Sequence, residues 1–207
     1  IKLDSTSQLE IEHYCKDVII QNEHRILSLY FEDEPVINDF LTHCIIDLSF
    51  DRLESIVLDE VSLDRLVILF FYLKSLPRLV SLTIYIENKW SCDDDGKELD
   101  AFVVLASNER FSTIEYLNID HKCIFNELFS ILQHTPQLRH LIHKNLIKSN
   151  TNIDFQKLVA LPNLIYLRID NCEIGFDEFE IFITKLYAQL QILNIEQHLC
   201  DGCLDAD

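Results

Sequence analysis

Along this chain an apolar residue is followed, three and five positions later, by two more, and the pattern recurs six times. The copies are Ile26/Leu29/Phe31, Leu53/Ile56/Leu58, Leu79/Leu82/Ile84, Ile114/Leu117/Ile119, Leu164/Leu167/Ile169 and Leu190/Leu193/Ile195. A weaker seventh copy is Leu138/Leu141/His143. Their first positions are spaced 27, 26, 35, 24, 26 and 26 residues apart. Self-similarity at such a period marks supersecondary units that stack to share one core. The last two residues of each copy obey strand alternation, so both enter the core while their neighbours face outward. Ile1 and Leu3 repeat that final spacing, and Ile1 lies 28 residues before Leu29. An additional strand, cut through its start, is therefore expected ahead of the six strong copies and the weak one, followed by a helix over Ser7 to Ile20.

Between the strands the apolar period lengthens to three and four. Val36 to Ile46, Leu63 to Leu76, Leu99 to Ala106, Phe125 to Leu132, Phe155 to Leu161 and Phe176 to Tyr187 read as helices. Pro77, Pro136 and Pro162 each stand two residues before the next first position, where proline stops a helix and turns the chain toward the strand. Ser62, Asp154 and Asp177 suit N-caps or first-turn acids. The 35-residue interval carries a mostly polar insertion near residues 87–96, which includes Trp90, the single tryptophan. Insertions in repeat arrays emerge as loops, often on the binding side.

The segments Ser75-Leu76-Pro77-Arg78-Leu79-x-x-Leu82-x-Ile84, His134-Thr135-Pro136-Gln137-Leu138-x-x-Leu141 and Ala160-Leu161-Pro162-Asn163-Leu164-x-x-Leu167-x-Ile169 carry a family resemblance. They resemble leucine-rich repeats, and specifically those of F-box proteins. The resemblance implies an α/β fold: a leucine-rich repeat solenoid with a parallel concave sheet and convex helices, forming one domain over residues 1–207. It also implies the substrate-binding region of a ubiquitin-ligase adaptor, provided that an F-box lies upstream of Ile1. One departure is that such repeats commonly carry Asn or Cys three residues after the last apolar position, and here only Cys172 fits.

Acidic residues outnumber basic ones by 35 to 17, giving a formal net charge of −18. That balance repels phosphate backbones and anionic membranes, so a protein partner with a basic segment is expected, and neither nucleic acid nor membrane. No apolar run reaches the roughly 18 residues of a membrane span. The seven cysteines are scattered and odd in number, and no Asn-x-Ser/Thr acceptor occurs, which fits a cytoplasmic or nuclear address. The chain begins at Ile1 and contains no methionine, so it is expected to be a piece of a longer protein.

Little in the sequence supports catalysis. Gly96, Gly175 and Gly202 are too dispersed to cradle a phosphate, and no nucleotide fingerprint or paired-histidine zinc motif occurs. No catalytic residue, cofactor or metal is assigned. His198, Cys200 and Cys203 offer three ligands where a closed zinc site wants four. Recognition has better support. Alternation puts an acid at the third outward position of five copies, Glu32, Asp59, Asp120, Asp170 and Glu196, while Tyr30, Tyr85, Tyr116 and Tyr166 recur on the same face with Arg168 among them. Tyrosines supply contact area with a polar tip, and acids steer basic partners. The chain thus reads as a protein-recognition module; the alternative is a free-standing acidic scaffold or chaperone for basic proteins.

Overall fold

The computed structural model describes residues 1–4, 8–62, 65–66, 69, 72–86, 113–124, 128, 132, 135–147, 161–186 and 189–196. Their strands are β1 (Lys2–Leu3), β2 (Ser28–Phe31), β3 (Ser55–Val61), β4 (Ser81–Ile86), β5 (Tyr116–Ile124), β6 (His140–Ile147), β7 (Tyr166–Cys172) and β8 (Ile192–Ile195). All join one eight-stranded sheet in chain order, and every neighbouring pair is parallel. A parallel pair needs a crossover of a dozen or more residues, which intervals of this length supply. The protein is therefore α/β with a single parallel sheet.

Register repeats with the sequence pattern. Leu29, Ile56, Leu82, Leu117, Leu141, Leu167 and Leu193 align across the sheet, and so do Phe31, Leu58, Ile84, Ile119, His143, Ile169 and Ile195. Through β7 every member of both rows is buried. The shortened strand expected at the start is present as β1, with Leu3 opposite Phe31.

A second repeating device lies just before each strand. The carbonyl of Leu27 accepts the N–H groups of both Glu54 and Ser55, at 2.9 and 3.1 Å. The Glu54, Val80, Glu115, Arg139 and Ile165 carbonyls do the same for the next repeat, so one oxygen joins each pair of neighbours by two bonds. Upstream of this row sits a turn: Leu53 donates to the Phe50 carbonyl, Leu138 to Thr135 and Leu164 to Leu161. Pro136 and Pro162 occupy the second position of their turns, where a fixed φ near −65° is already correct. The prolines thus build the turn that delivers the chain into the strand.

Helices connect the strands where the connections are described. Between β1 and β2 run α1 (Gln8–Tyr14), a π-helical turn (Cys15–Ile19), α2 (Ile20–Asn22) and a 3₁₀ turn (Glu23–Arg25). Ile11, Cys15 and Ile19 are buried from this segment. The helix expected over Val36 to Ile46 is α3 (Glu34–His43), displaced toward the N-terminus. Asp33 caps it by accepting the Val36 N–H at 2.9 Å, with proline in the first turn, and Cys44 leaves it in an extended conformation. Val36, Ile37 and Phe40 pack inward, and the Phe40 ring meets Phe31 edge-on at 5.0 Å. Ser62 caps the next helical turn as expected, accepting the Arg65 N–H at 3.4 Å, and Leu66, Leu69, Leu73 and Leu76 are buried. The last helix, α4 (Phe176–Leu186), opens with Asp177 and buries Phe182 and Leu186. The helix expected over 99–106, residues 155–160 of the one expected over Phe155 to Leu161, the insertion with Trp90, the Asp154 cap and the His198/Cys200/Cys203 cluster lie outside the described residues. Within 125–132 only Leu128 and Leu132 are described, and both are buried. Among the described residues no helix is long and apolar enough to cross a membrane.

One expectation fails. Leu193 and Ile195 were assigned to the core, yet Leu193 is 45% exposed and Ile195 and Leu190 are only partly buried. The physical reason is position: β8 is the last strand of the sheet, and among the described residues no further strand stacks on it. The pattern identifies which residues would face a core, and whether they are buried depends on what packs over them.

Truncating a central member should therefore cost far more than truncating the edge member. Leu117→Ala is expected to destabilise by about 2–5 kcal/mol, and Leu193→Ala, which leaves no enclosed cavity, by about 1 kcal/mol or less. Urea midpoints of the two variants measure this, and equal losses would contradict the stacking.

Candidate protein-recognition face

Residues between the core positions cover the other face of the sheet in three rows. Ser28, Ser55, Ser81, Tyr116, His140, Tyr166 and Ile192 stand in register as the first. The second runs through Lys2, Tyr30, Val57, Thr83, Asn118, Ile142, Arg168 and Asn194. Tyr85 and Asp120 pair directly in the third, which also holds Glu32, Asp59, Lys144, Asp170 and Glu196 by alternation.

The four tyrosines singled out from the sequence do not form one stripe. Tyr30 falls in the second row and Tyr85 in the third, while Tyr116 and Tyr166 share the first with His140 between them. The Tyr116 and His140 ring centres are 6.1 Å apart, and those of His140 and Tyr166 5.8 Å, each pair tilted by 35°. Three half-buried aromatic rings thus make one continuous strip across β5, β6 and β7. His140 was missed as a site residue because its importance comes from register, which aligns it with Tyr116 and Tyr166. Alternation alone places His140 on this face, but only acids, tyrosines and Arg168 mark out the residues expected from the sequence.

The acidic row is partly neutralised from within the chain. Lys144 sits 2.8 Å from Asp120, Arg168 pairs with Asp170 on its own strand, and Lys2 lies 3.6 Å from Glu32. The Tyr30 hydroxyl donates to Asp59 at 2.6 Å. Glu196 has no ion-pair partner among the described residues. Three of these contacts shift the titration of the donor. Asp59, accepting the phenolic proton, pushes Tyr30 up to about 12, because losing that proton would leave two anions in contact. Asp120 raises Lys144, and Asp170 raises Arg168, by favouring their charged forms.

Beyond the third row, Asn171 donates to Asn145 at 3.2 Å from an aligned position. This amide pair lies one residue before the position at which leucine-rich repeats commonly carry Asn or Cys and which only Cys172 fits here; the Cys172 side chain is buried. At the turn edge, Glu54, Pro77, Arg78, Val80, Thr113, Glu115 and Gln137 line a shallow open groove, with Arg139 bridging to Glu115 at 3.5 Å on its rim. Among the described residues no group of three or more His, Cys, Asp or Glu is placed to hold a metal ion. With the geometry in hand, the sequence was compared with protein-family models and with curated proteins, and it matches none.

The Tyr30–Asp59 contact can be tested by ultraviolet titration of the phenols. Tyr30→Phe is expected to remove a tyrosine that ionises near 12, and Asp59→Asn to bring Tyr30 back toward the ordinary value of about 10. A Tyr30 titration indifferent to Asp59→Asn would contradict the hydrogen bond.

Proposed function

We propose that the chain is a leucine-rich repeat solenoid acting as a protein-recognition module, with the open sheet face of β5 to β7 as its binding surface. The observation that carries this reading is the Tyr116–His140–Tyr166 strip. Three rings held side by side on a rigid sheet offer contact area at low conformational cost, the property that enriches tyrosine at interfaces. The partner is a basic protein segment. Its cations would compete with Lys144 and Arg168 for Asp120 and Asp170, and meet Asp59 and Glu196 on either side. Because the resident ion pairs are exposed, exchanging one cation for another costs little.

The module is read as binding without catalysis. Its proline-containing repeats resemble those of F-box proteins, so joined to an F-box it would present the bound protein to a ubiquitin ligase. The free-standing acidic scaffold shares the same face and is favoured by the net charge of −18.

Binding of a fluorescein-labelled peptide of alternating Lys and Tyr, followed by anisotropy, tests the proposal. Affinity should fall as salt rises to physiological strength, where the screening length is about 8 Å. Replacing Asp59, Asp120 and Asp170 together by Asn should weaken it about tenfold and flatten the salt dependence. Tyr116→Ala with Tyr166→Ala should weaken it by a similar factor and leave the salt dependence in place. An affinity that ignores all these changes, or contacts that map to the helical side, would overturn the reading.

A further inference from the structure

His143 occupies a core position that its aligned neighbours fill with Phe31, Leu58, Ile84, Ile119 and Ile169. Its side chain is fully buried, and among the described residues neither ring nitrogen has a hydrogen-bond partner. His121 of β5 adjoins it, and its Nδ1 is likewise buried and unpartnered. The backbone is irregular at this point: between the Ile119–His143 and Lys122–Asn145 pairs, β5 places Asp120 and His121 against the single Lys144 of β6. Such a bulge interrupts the ladder locally. A buried polar pair without partners and a break in the pairing therefore coincide on the same two strands.

Among the described residues, no group beside His143 is placed to accept a proton from a charged imidazole. On β7 the residue aligned with His143 is Ile169, and the described helical residues Leu128 and Leu132 are apolar. Asp120 and Asp170 lie on the opposite face of the sheet, engaged by Lys144 and Arg168. Among the described residues, the titratable group that acts on His143 is His121, and it repels an added charge.

We infer that His143 and His121 form an acid-sensitive latch in the middle of the sheet, which opens the β5–β6 step ahead of its neighbours when the pH falls below neutral. Burial holds the His143 ring neutral down to about 4, against an ordinary value of 6.5, and burial lowers His121 as well. Once the step opens, the ring is hydrated and protonates at its ordinary value. A folded value below the open-state value means that the closed state is favoured fully above about 6.5 and loses ground as the pH falls from 6.5 toward 4. Tyr116, His140, Asp120 and Lys144 ride on the same two strands, so opening would dismantle the centre of the candidate face. Release of a partner by acid rests on the recognition reading, whereas the opening itself does not.

Hydrogen exchange of the free protein, corrected for the intrinsic pH dependence of exchange, tests the opening without any partner. From pH 7.5 to 5.5 the opening equilibrium of β5 and β6 amides should rise about tenfold, the ratio that protonation near 6.5 in the open state and near 4 in the closed state sets. The β2 and β3 amides should hold steady, and His143→Leu together with His121→Leu should abolish the difference. A rise shared by the whole sheet, or one that persists in this double variant, would overturn the inference. Should that variant not fold, histidine NMR titration of the native protein decides: His143 should remain neutral to near pH 4, and titration near 6.5 would refute the latch.

Discussion

The structure depends on one repeated arrangement, a backbone carbonyl that accepts two N–H groups from the following repeat. The carbonyls of Leu27, Glu54, Val80, Glu115, Arg139 and Ile165 carry it across the sheet. Each fixes where the next strand begins relative to the last. Register then follows, and with it the alignment of every core residue. Since the junction is local, the intervening chain is free to vary in length. The Leu79-to-Ile114 interval is 35 residues where others are 24 to 27, yet Leu82 still pairs with Leu117. Burial supplies the complementary energy. Removing a Leu, Ile or Phe side chain from water is worth about 1.5–3 kcal/mol, and each interior strand buries at least two such residues.

How much was legible depended on whether a residue's role is set by period or by register. Strand order, parallel pairing and the core rows from Leu29 to Ile169 follow from the spacing of apolar residues, because period two permits only one assignment of faces. The Ser62 cap and the proline turns were also visible, since their chemistry is local. Leu193 and Ile195 were misjudged because a spacing rule says nothing about whether a neighbour is present to bury them. The start of α3 at Glu34 was missed because Asp33 and the following proline outweigh the apolar pattern that suggested Val36. The ion pairs Lys144–Asp120 and Arg168–Asp170 were beyond reach of a tally of acids, for they join side chains across strands or two residues apart on one face.

The open face shows the balance between charge and surface. A net charge of −18 leads one to expect bare carboxylates, but the described cations on this face sit against its acids. The face is therefore a mosaic of exposed ion pairs beside an aromatic strip. Beneath it, His143 interrupts a row of hydrocarbon. Burying a polar group without a partner costs about 1–3 kcal/mol, a penalty that the apolar residues at the same position of neighbouring repeats do not incur.

The central claim, that the strands lie parallel in chain order with their repeats in register, is tested most directly by a ladder of electron–electron distances. Spin labels would be placed at Ser28 and, in separate proteins, at Tyr116, His140, Tyr166 or Ile192. All belong to one row, so the distance from Ser28 should grow by about 4.8 Å with each strand, reaching about 24 Å at Tyr166 before curvature shortens it. Distances that rise steadily in chain order would support the account. A pair out of sequence, such as Tyr166 closer to Ser28 than Tyr116 is, would contradict it.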